Sequence, residues 1–259
     1  MNIPIYYLDA FTDKLFSGNP AAVIFSNIND SVLMQKIAAE NNLSETAFIR
    51  EEGGIHYIRW FAPFCEIDLC GHATLAAAFV YFNFINKSST TFEVNSTKNG
   101  VLKVYKDNDS LYLDFPKDSI SPLNESLIEK VIGYKPIELY QGRDDILAVI
   151  ESEKMVRNLN IDFDLLKNIN VRGLIVSSQG SVCDFVSRCF FPGAGVNEDP
   201  VTGSAHTTLT PYWSKKLNKT SLLAMQLSER GGVLSCEDKG GRVIIGGKVT
   251  LYMKGEIYV

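Results

Sequence analysis

Apolar positions along the chain fall into short blocks rich in β-branched and aromatic residues at 3–9, 20–26, 47–50, 55–61, 91–95, 101–106 and 110–115, bounded by Gly, Asn or Asp. Blocks of this length and composition predict strands. Residues 30–41 (DSVLMQKIAAEN) carry their apolar residues at helical spacing instead, with Asp30 as the expected N-cap. The second half repeats the order: strands near 137–141, 145–151, 173–178 and 182–190, a helix near 162–168, and closing strands near 242–246, 249–253 and 256–259. One segment follows neither pattern. From Ala73 to Phe82 (ATLAAAFVYF) nearly every residue is apolar, so a helix there has no face for water and must be enclosed. Its alanines would let a surrounding sheet come close. Strand-rich halves with few helices predict an α+β fold and exclude a regular βαβ succession.

The two halves also echo each other in sequence. IRWFAPFCEIDLCGHAT (58–74) and SRCFFPGAGVNEDPVTGSAH (187–206) share Arg-x-Phe-x-Pro, a loop and a glycine-containing helix start. Arg59 aligns with Arg188, Pro63 with Pro192, and Gly71 with Gly203. Upstream, NPAAVIFS lies beside DILAVIES, and NNLSETAFI beside NINVRGLIV. Three matches in one order point to an internal duplication. They predict two similar lobes, 1–116 and 117–248, with the divide in the polar, proline-containing stretch 116–127. The second copy's helix, GSAHTTLTPYWSKKL, contains Pro211, which is expected to kink or shorten it.

Composition narrows the function. The chain is 46% hydrophobic with a formal charge of −5 and no basic cluster, which argues against nucleic-acid binding. No stretch reaches a membrane-spanning run of about 18 apolar residues. The start, MNIPIYYLDAFTD, does not resemble a signal peptide. Five cysteines without CxxC spacing suit reduced thiols, so a cytoplasmic location is expected.

Four polar residues are candidates for chemistry: Glu45, His72, Asp199 and Ser204. Taken singly, each also reads as a strand-edge acid, a core histidine, a turn residue or a helix cap. Taken with their surroundings they form a set. DAF from Asp9, GNPAAV from Gly18, NLSETAF from Asn42, DLCGHATLA from Asp68 and EDPVTGSA from Glu198 together resemble the PhzF-like (phenazine biosynthesis-like) isomerase family. The resemblance runs along the whole chain. It implies a diaminopimelate epimerase-like fold, in which each of two pseudo-symmetric lobes wraps sheet around a central helix. It also implies that 249–259 return to complete the first lobe, and that a cleft between the lobes holds the site.

By the same resemblance, Glu45 is the acid/base that moves a proton between carbons, and His72, Asp199 and Ser204 surround the substrate. Gly71, Ala73, Gly203 and Ala205 would bind it, the two glycines letting helix-start N–H groups meet a substrate carboxylate. A small carboxylate-bearing substrate, no cofactor, no metal and a homodimer complete the expectation. General acid–base help of this kind is worth roughly 10²–10⁴-fold.

Rival chemistries fit less well. A two-thiol epimerase would need a partner for Cys70, and the repeat places Thr202 there. No G-x-S-x-G elbow supports a hydrolase. Cys70 and His72 alone are too close in sequence for a usual zinc pair. GRVIIGG (241–247) has glycine where a phosphate loop needs lysine. A non-catalytic binding protein on the same scaffold stays open as the alternative, because fold does not imply function.

Overall fold

A computed structural model describes residues 2–259, which divide into two units: 2–114 with Gly246–Val259, and Phe115–Ile245. In the first unit the strands run side by side in the order Val249–Tyr258, Asn2–Ala10, Asn19–Phe25, Glu45–Glu52, Ile55–Phe61, Thr91–Ser96, Gly100–Asp107 and Ser110–Pro116. Two of these neighbours are parallel, Asn19–Phe25 with Glu45–Glu52 and Ile55–Phe61 with Thr91–Ser96. The others are antiparallel. The stretch expected to hold two closing strands is one, Val249–Tyr258, paired from end to end with Asn2–Ala10.

The sheet has two apolar faces, each covered by helix. Outside, the helix Ser31–Asn41 sets Met34, Ile37 and Ala38 against Ile3, Ile5, Ala22, Ile24 and Phe48. Asp30 caps it, accepting from the N–H groups of Val32 (2.8 Å) and Leu33 (3.4 Å). Inside lies the helix Gly71–Val80, which touches Asn2–Ala10, Asn19–Phe25, Glu45–Glu52, Gly100–Asp107 and Val249–Tyr258. Contact with strands so far apart in the ladder means that the sheet curves around it. Ala73, Leu75, Ala76, Ala77, Ala78 and Val80 are fully buried, as an apolar circumference requires. The helix then widens by one π turn over Tyr81–Ile85, where the Asn86 N–H reaches back to the Tyr81 carbonyl at 2.7 Å.

The second unit repeats the scheme. Glu138–Gln141, Asp145–Val149, Gly173–Gln179, Phe185–Phe191, Ser221–Gln226 and Gly232–Asp238 follow one another in the ladder. Their pairings run antiparallel, parallel, antiparallel, parallel, antiparallel. The first unit shows the same succession from Asn2–Ala10 to Gly100–Asp107. The short helices Leu127–Ile132, Glu153–Arg157 and Phe163–Lys167 cover one face through Ile128, Val131, Val156 and Leu166. The helix His206–Leu217 lies against the other, with Trp213 donating to Ser177 at 2.9 Å and stacking on Phe185.

Several elements escaped the sequence pattern: the helices Leu127–Ile132 and Glu153–Arg157, and the strands Val196–Asp199, Ser221–Gln226 and Gly232–Asp238. Ser221–Gln226 (SLLAMQ) has no β-branched or aromatic residue, so its strand conformation comes from its neighbours and not from propensity.

The expected shortening at Pro211 does not occur, because His206–Leu217 continues through it. An unbroken helix would bond residue 211 to the Thr207 carbonyl. Proline cannot donate, and the Asp118 N–H takes that carbonyl instead at 3.2 Å. The Asp118 carboxylate also accepts from the Thr208 hydroxyl at 2.7 Å. The gap in the helix ladder is filled by the incoming chain.

Enclosure of the first-unit helix gives a direct expectation. Ala77→Leu adds three carbons where Ala77 has no exposed surface, and should destabilise by about 1–3 kcal/mol. A lower urea midpoint at unchanged slope would show it.

Candidate functional site

Each unit assembles polar groups where its inner helix begins. In the first, Glu45 opens the strand Glu45–Glu52, and Cys70, Gly71 and His72 form the helix entrance. The side chains of Glu45 and His72 are 18% and 6% exposed, with Oε2 2.9 Å from Nε2. The contact pairs the Glu45 carboxylate with the imidazole as an ion pair. The Cys70 sulfur stands 3.5 Å from His72 Nδ1 and 3.9 Å from Nε2.

Charge in this pocket follows from burial and neighbours. Burial pushes the Cys70 thiol up to about 11, and the adjacent Glu45 charge adds to the rise. Cys70 is therefore a thiol at neutral pH and not a ready nucleophile. Burial disfavours the His72 imidazolium, but the Cys70 sulfur and the Glu45 carboxylate favour it and prevail, holding the proton well above the ordinary 6.5. With the thiol neutral, the carboxylate is the partner that acts at pH 7. At the entrance itself Thr74 donates to the Cys70 carbonyl at 2.6 Å, and the Ala73 N–H points to the Cys70 sulfur.

In the second unit Asp199 ends the strand Val196–Asp199 and accepts from the Thr202 hydroxyl at 2.5 Å. Gln226, fully buried, clamps the same turn. Its amide oxygen accepts from the Thr202 N–H at 2.8 Å, and its NH₂ donates to the Asp199 carbonyl at 2.7 Å. Gly203, Ser204 and Ala205 form the turn before the helix and do not belong to it, so Ser204 is not its cap. Ser204 Oγ instead lies 3.5 Å from the Arg172 guanidinium, which forms a two-point ion pair with the buried Asp145 and lies 5.5 Å from the Phe191 ring. His206, fully buried, donates from Nδ1 to the Thr202 carbonyl at 2.8 Å and leaves Nε2 without a partner. Burial holds its pKa down to about 4, so the ring is neutral.

Arg172, Asp145 and Gln226 were not among the residues that the sequence singled out. The internal repeat carried a signal for Arg172, since NINVRGLIV lies beside NNLSETAFI with Arg172 opposite Glu45. The ladders refine this by one residue. Thr46 pairs with Phe61 and Leu174 with Phe190, which equates Glu45 with Gly173. A Cβ at Gly173 would sit 2.1 Å from the Phe191 ring, so the second unit has no room for an equivalent acid. Away from the site the copies agree closely. Arg59 grips Glu66 at 2.7 Å through two nitrogens and lies 5.0 Å from the Phe61 ring. Arg188 grips Glu198 at 2.7 and 2.8 Å and lies 5.2 Å from the Phe190 ring.

Two measurements check these assignments. The chain has three histidines, which makes ring ¹⁵N NMR assignable. At pH 7 His72 should be an imidazolium and His206 a neutral Nδ1–H tautomer that stays neutral down to about pH 4. The linkage signs are opposite. The stability that His72 contributes is full below about 6.5 and is lost as pH rises through its higher folded value. His206 costs stability as pH falls from about 6.5 to about 4. Separately, Arg172→Gln strands the Asp145 charge. It should cost about 2 kcal/mol in urea unfolding, less than a fully buried pair because the arginine side chain is 42% exposed.

The chain is similar to known proteins along nearly its whole length. A family model described as "Phenazine biosynthesis-like protein" matches residues 8–255. An uncharacterized isomerase of Halalkalibacterium halodurans is 43% identical over 99% of each chain, and one of Pseudomonas aeruginosa is 45% identical over 100% of each. A crystal structure of a phenazine biosynthesis protein of the PhzF family from Enterococcus faecalis superposes with a TM-score of 0.97 at 48% identity, covering 100% of both chains. More distant likeness shows the fold alone. A hydroxyproline epimerase from Agrobacterium vitis, 9% identical, has a TM-score of 0.66 and covers 99% of this chain and 92% of its own. The two-lobe, α+β, epimerase-like architecture is thereby established, and with the family model matching nearly end to end, the chain belongs to the phenazine biosynthesis-like protein family.

Proposed function

We propose that the protein is an isomerase that needs no cofactor and moves a proton between carbons of a small carboxylate-bearing substrate, with Glu45 as the general acid/base. Its relatives in Halalkalibacterium halodurans and Pseudomonas aeruginosa carry the name isomerase. The observation that carries the reading is the Glu45–His72 pair at the helix entrance, 2.9 Å apart and largely shielded from water. His72 holds one carboxylate oxygen and fixes its direction, leaving the other to take a proton from substrate carbon and return it to a second carbon. Asp199 and Ser204 orient the substrate. The start of the first inner helix, at Gly71 and Ala73, and the turn leading into the second, at Gly203 and Ala205, supply N–H groups for its carboxylate. In this reading the substrate lies in a cleft between the lobes, where exclusion of water strengthens every charge that acts on the developing carbanion.

The one-sidedness of the acid supports an isomerase over an epimerase. Inverting a centre by a two-base route takes a base on each face, and the second unit has Gly173 where the first has Glu45, and Thr202 where it has Cys70. A single base that withdraws and returns the proton on one face suits movement between carbons.

Proton NMR of candidate carboxylates in D₂O, with the wild type and Glu45→Gln in parallel, tests the proposal. A dihydro-hydroxyanthranilate and several amino acids form the first panel. Isomerisation or deuterium uptake by the wild type is expected to fall by at least about 10²-fold in the variant. Equal exchange by both proteins would remove Glu45 from the mechanism.

A further inference from the structure

Gln226 closes the strand Ser221–Gln226 and is fully buried. A buried primary amide needs partners for its oxygen and for its N–H groups. All of them lie in one turn. Oε1 accepts from the Thr202 N–H at 2.8 Å, and Nε2 donates to the Asp199 carbonyl at 2.7 Å and to Thr202 Oγ1 at 3.2 Å. The two backbone partners settle which end of the amide is which, since an N–H only donates and a carbonyl only accepts. Thr202 Oγ1 therefore receives a hydrogen from Gln226 and has a single hydrogen of its own to give. Asp199 Oδ2 faces it at 2.5 Å, and the Cys189 sulfur also reaches it. Burial keeps Cys189 a thiol, which accepts weakly, so the hydrogen goes to the carboxylate.

The first unit shows that the fold does not need this clamp. Arg59 and Arg188 are equivalent, so the parallel pairs Ile58–Ser96 and Ser187–Gln226 are equivalent as well, and Ser96 stands where Gln226 stands. Ser96 is buried too, but it carries a hydroxyl and no amide. Both copies pass from strand through loop to inner helix at this junction, and the amide occurs in the copy that holds Asp199. We propose that Gln226 is a positioning residue for the reaction: through the Thr202 hydroxyl it fixes the Asp199 carboxylate in one orientation, as an ionised acceptor for the substrate. The assignment rests on the reading of Asp199 as a residue that orients substrate, whereas the chain of hydrogen bonds rests on geometry alone.

Carboxyl ¹³C NMR of Asp199, its signal identified by its loss in Asp199→Asn, reads the relay in the full-length protein without any substrate. Removing a hydrogen bond to the charged form raises a carboxyl midpoint. Thr202→Val should raise that of Asp199 by about one unit, and Thr202→Ser, which keeps a hydroxyl, should hold the wild-type value. Gln226→Met, of similar size, should raise it too, and should add little in the Thr202→Val background because the amide acts through the hydroxyl. Ser96→Ala, at the equivalent place in the first unit, should leave it unmoved. Glu198, the neighbouring acid, is held by Arg188 at 2.7 and 2.8 Å and keeps its charge in every variant. Circular dichroism establishes folding, and Thr202→Val carries the test if Gln226→Met does not fold. With a substrate from the D₂O panel, Thr202→Val and Gln226→Met should lose at least about tenfold in kcat with KM changed less, and Thr202→Ser should recover the loss. An unmoved midpoint in Thr202→Val or in folded Gln226→Met, or full turnover by either, would overturn the proposal. Midpoints that move as expected in a protein that exchanges no substrate proton keep the relay and lose the proposed reaction.

Discussion

The helix Gly71–Val80 has no side that can be left in water, and much of the first unit follows from that. Sheet must pass around it, which is why strands as far apart in sequence as Asn2–Ala10 and Val249–Tyr258 both touch it. The helix start brings polar groups to the edge of this enclosure. His72 stands there, 5% exposed, and its proton needs a negative neighbour in a medium that solvates charge poorly. Glu45, at the head of an enclosing strand, is that neighbour. The same burial that makes the pair costly to separate keeps the Cys70 thiol protonated beside it.

Duplication gave two copies of the scaffold, and the copies have diverged unevenly. The Arg59–Glu66 and Arg188–Glu198 pairs, each beside a phenylalanine ring, hold equivalent strands to equivalent loops. At the helix entrances the copies part. One has Glu45, Cys70 and His72. The other has Gly173, Thr202 and Ser204, with Phe191 packed where a carboxylate would need space. What the second entrance gained is a fixed turn: Gln226 and His206 bond to Thr202 from either side, and the Asp145–Arg172 pair reaches Ser204. One copy keeps the Glu45–His72 ion pair and the other a turn tied down by hydrogen bonds beside the Arg172–Asp145 pair.

Much of this was legible in the sequence because it rests on periodicity. The alternating strands and the wholly apolar helix are local patterns, and repetition of Arg-x-Phe-x-Pro betrayed the duplication. Ser221–Gln226 and Gly232–Asp238 were not legible, since their strand conformation comes from partners distant in the chain. The meeting of Glu45 with His72 came from the family motifs and not from spacing, for no local rule brings together residues from a strand and a later helix. Arg172, Asp145 and Gln226 act through contacts that only the folded chain makes. His206 ends the repeated segment 187–206, but its neutral state follows from complete enclosure.

Pro211 changes what a helix-breaking residue means here. Its missing N–H leaves the Thr207 carbonyl exposed on one side of an otherwise saturated rod, and Asp118, just inside the second unit, supplies the absent bond. The proline thus acts as a keyed socket: it marks the one turn of the helix at which an entering strand of chain can dock through its backbone. Any residue with an N–H at 211 would compete for the same carbonyl. The constraint at this position therefore falls on the route by which the chain enters the unit, more than on the helix that contains it.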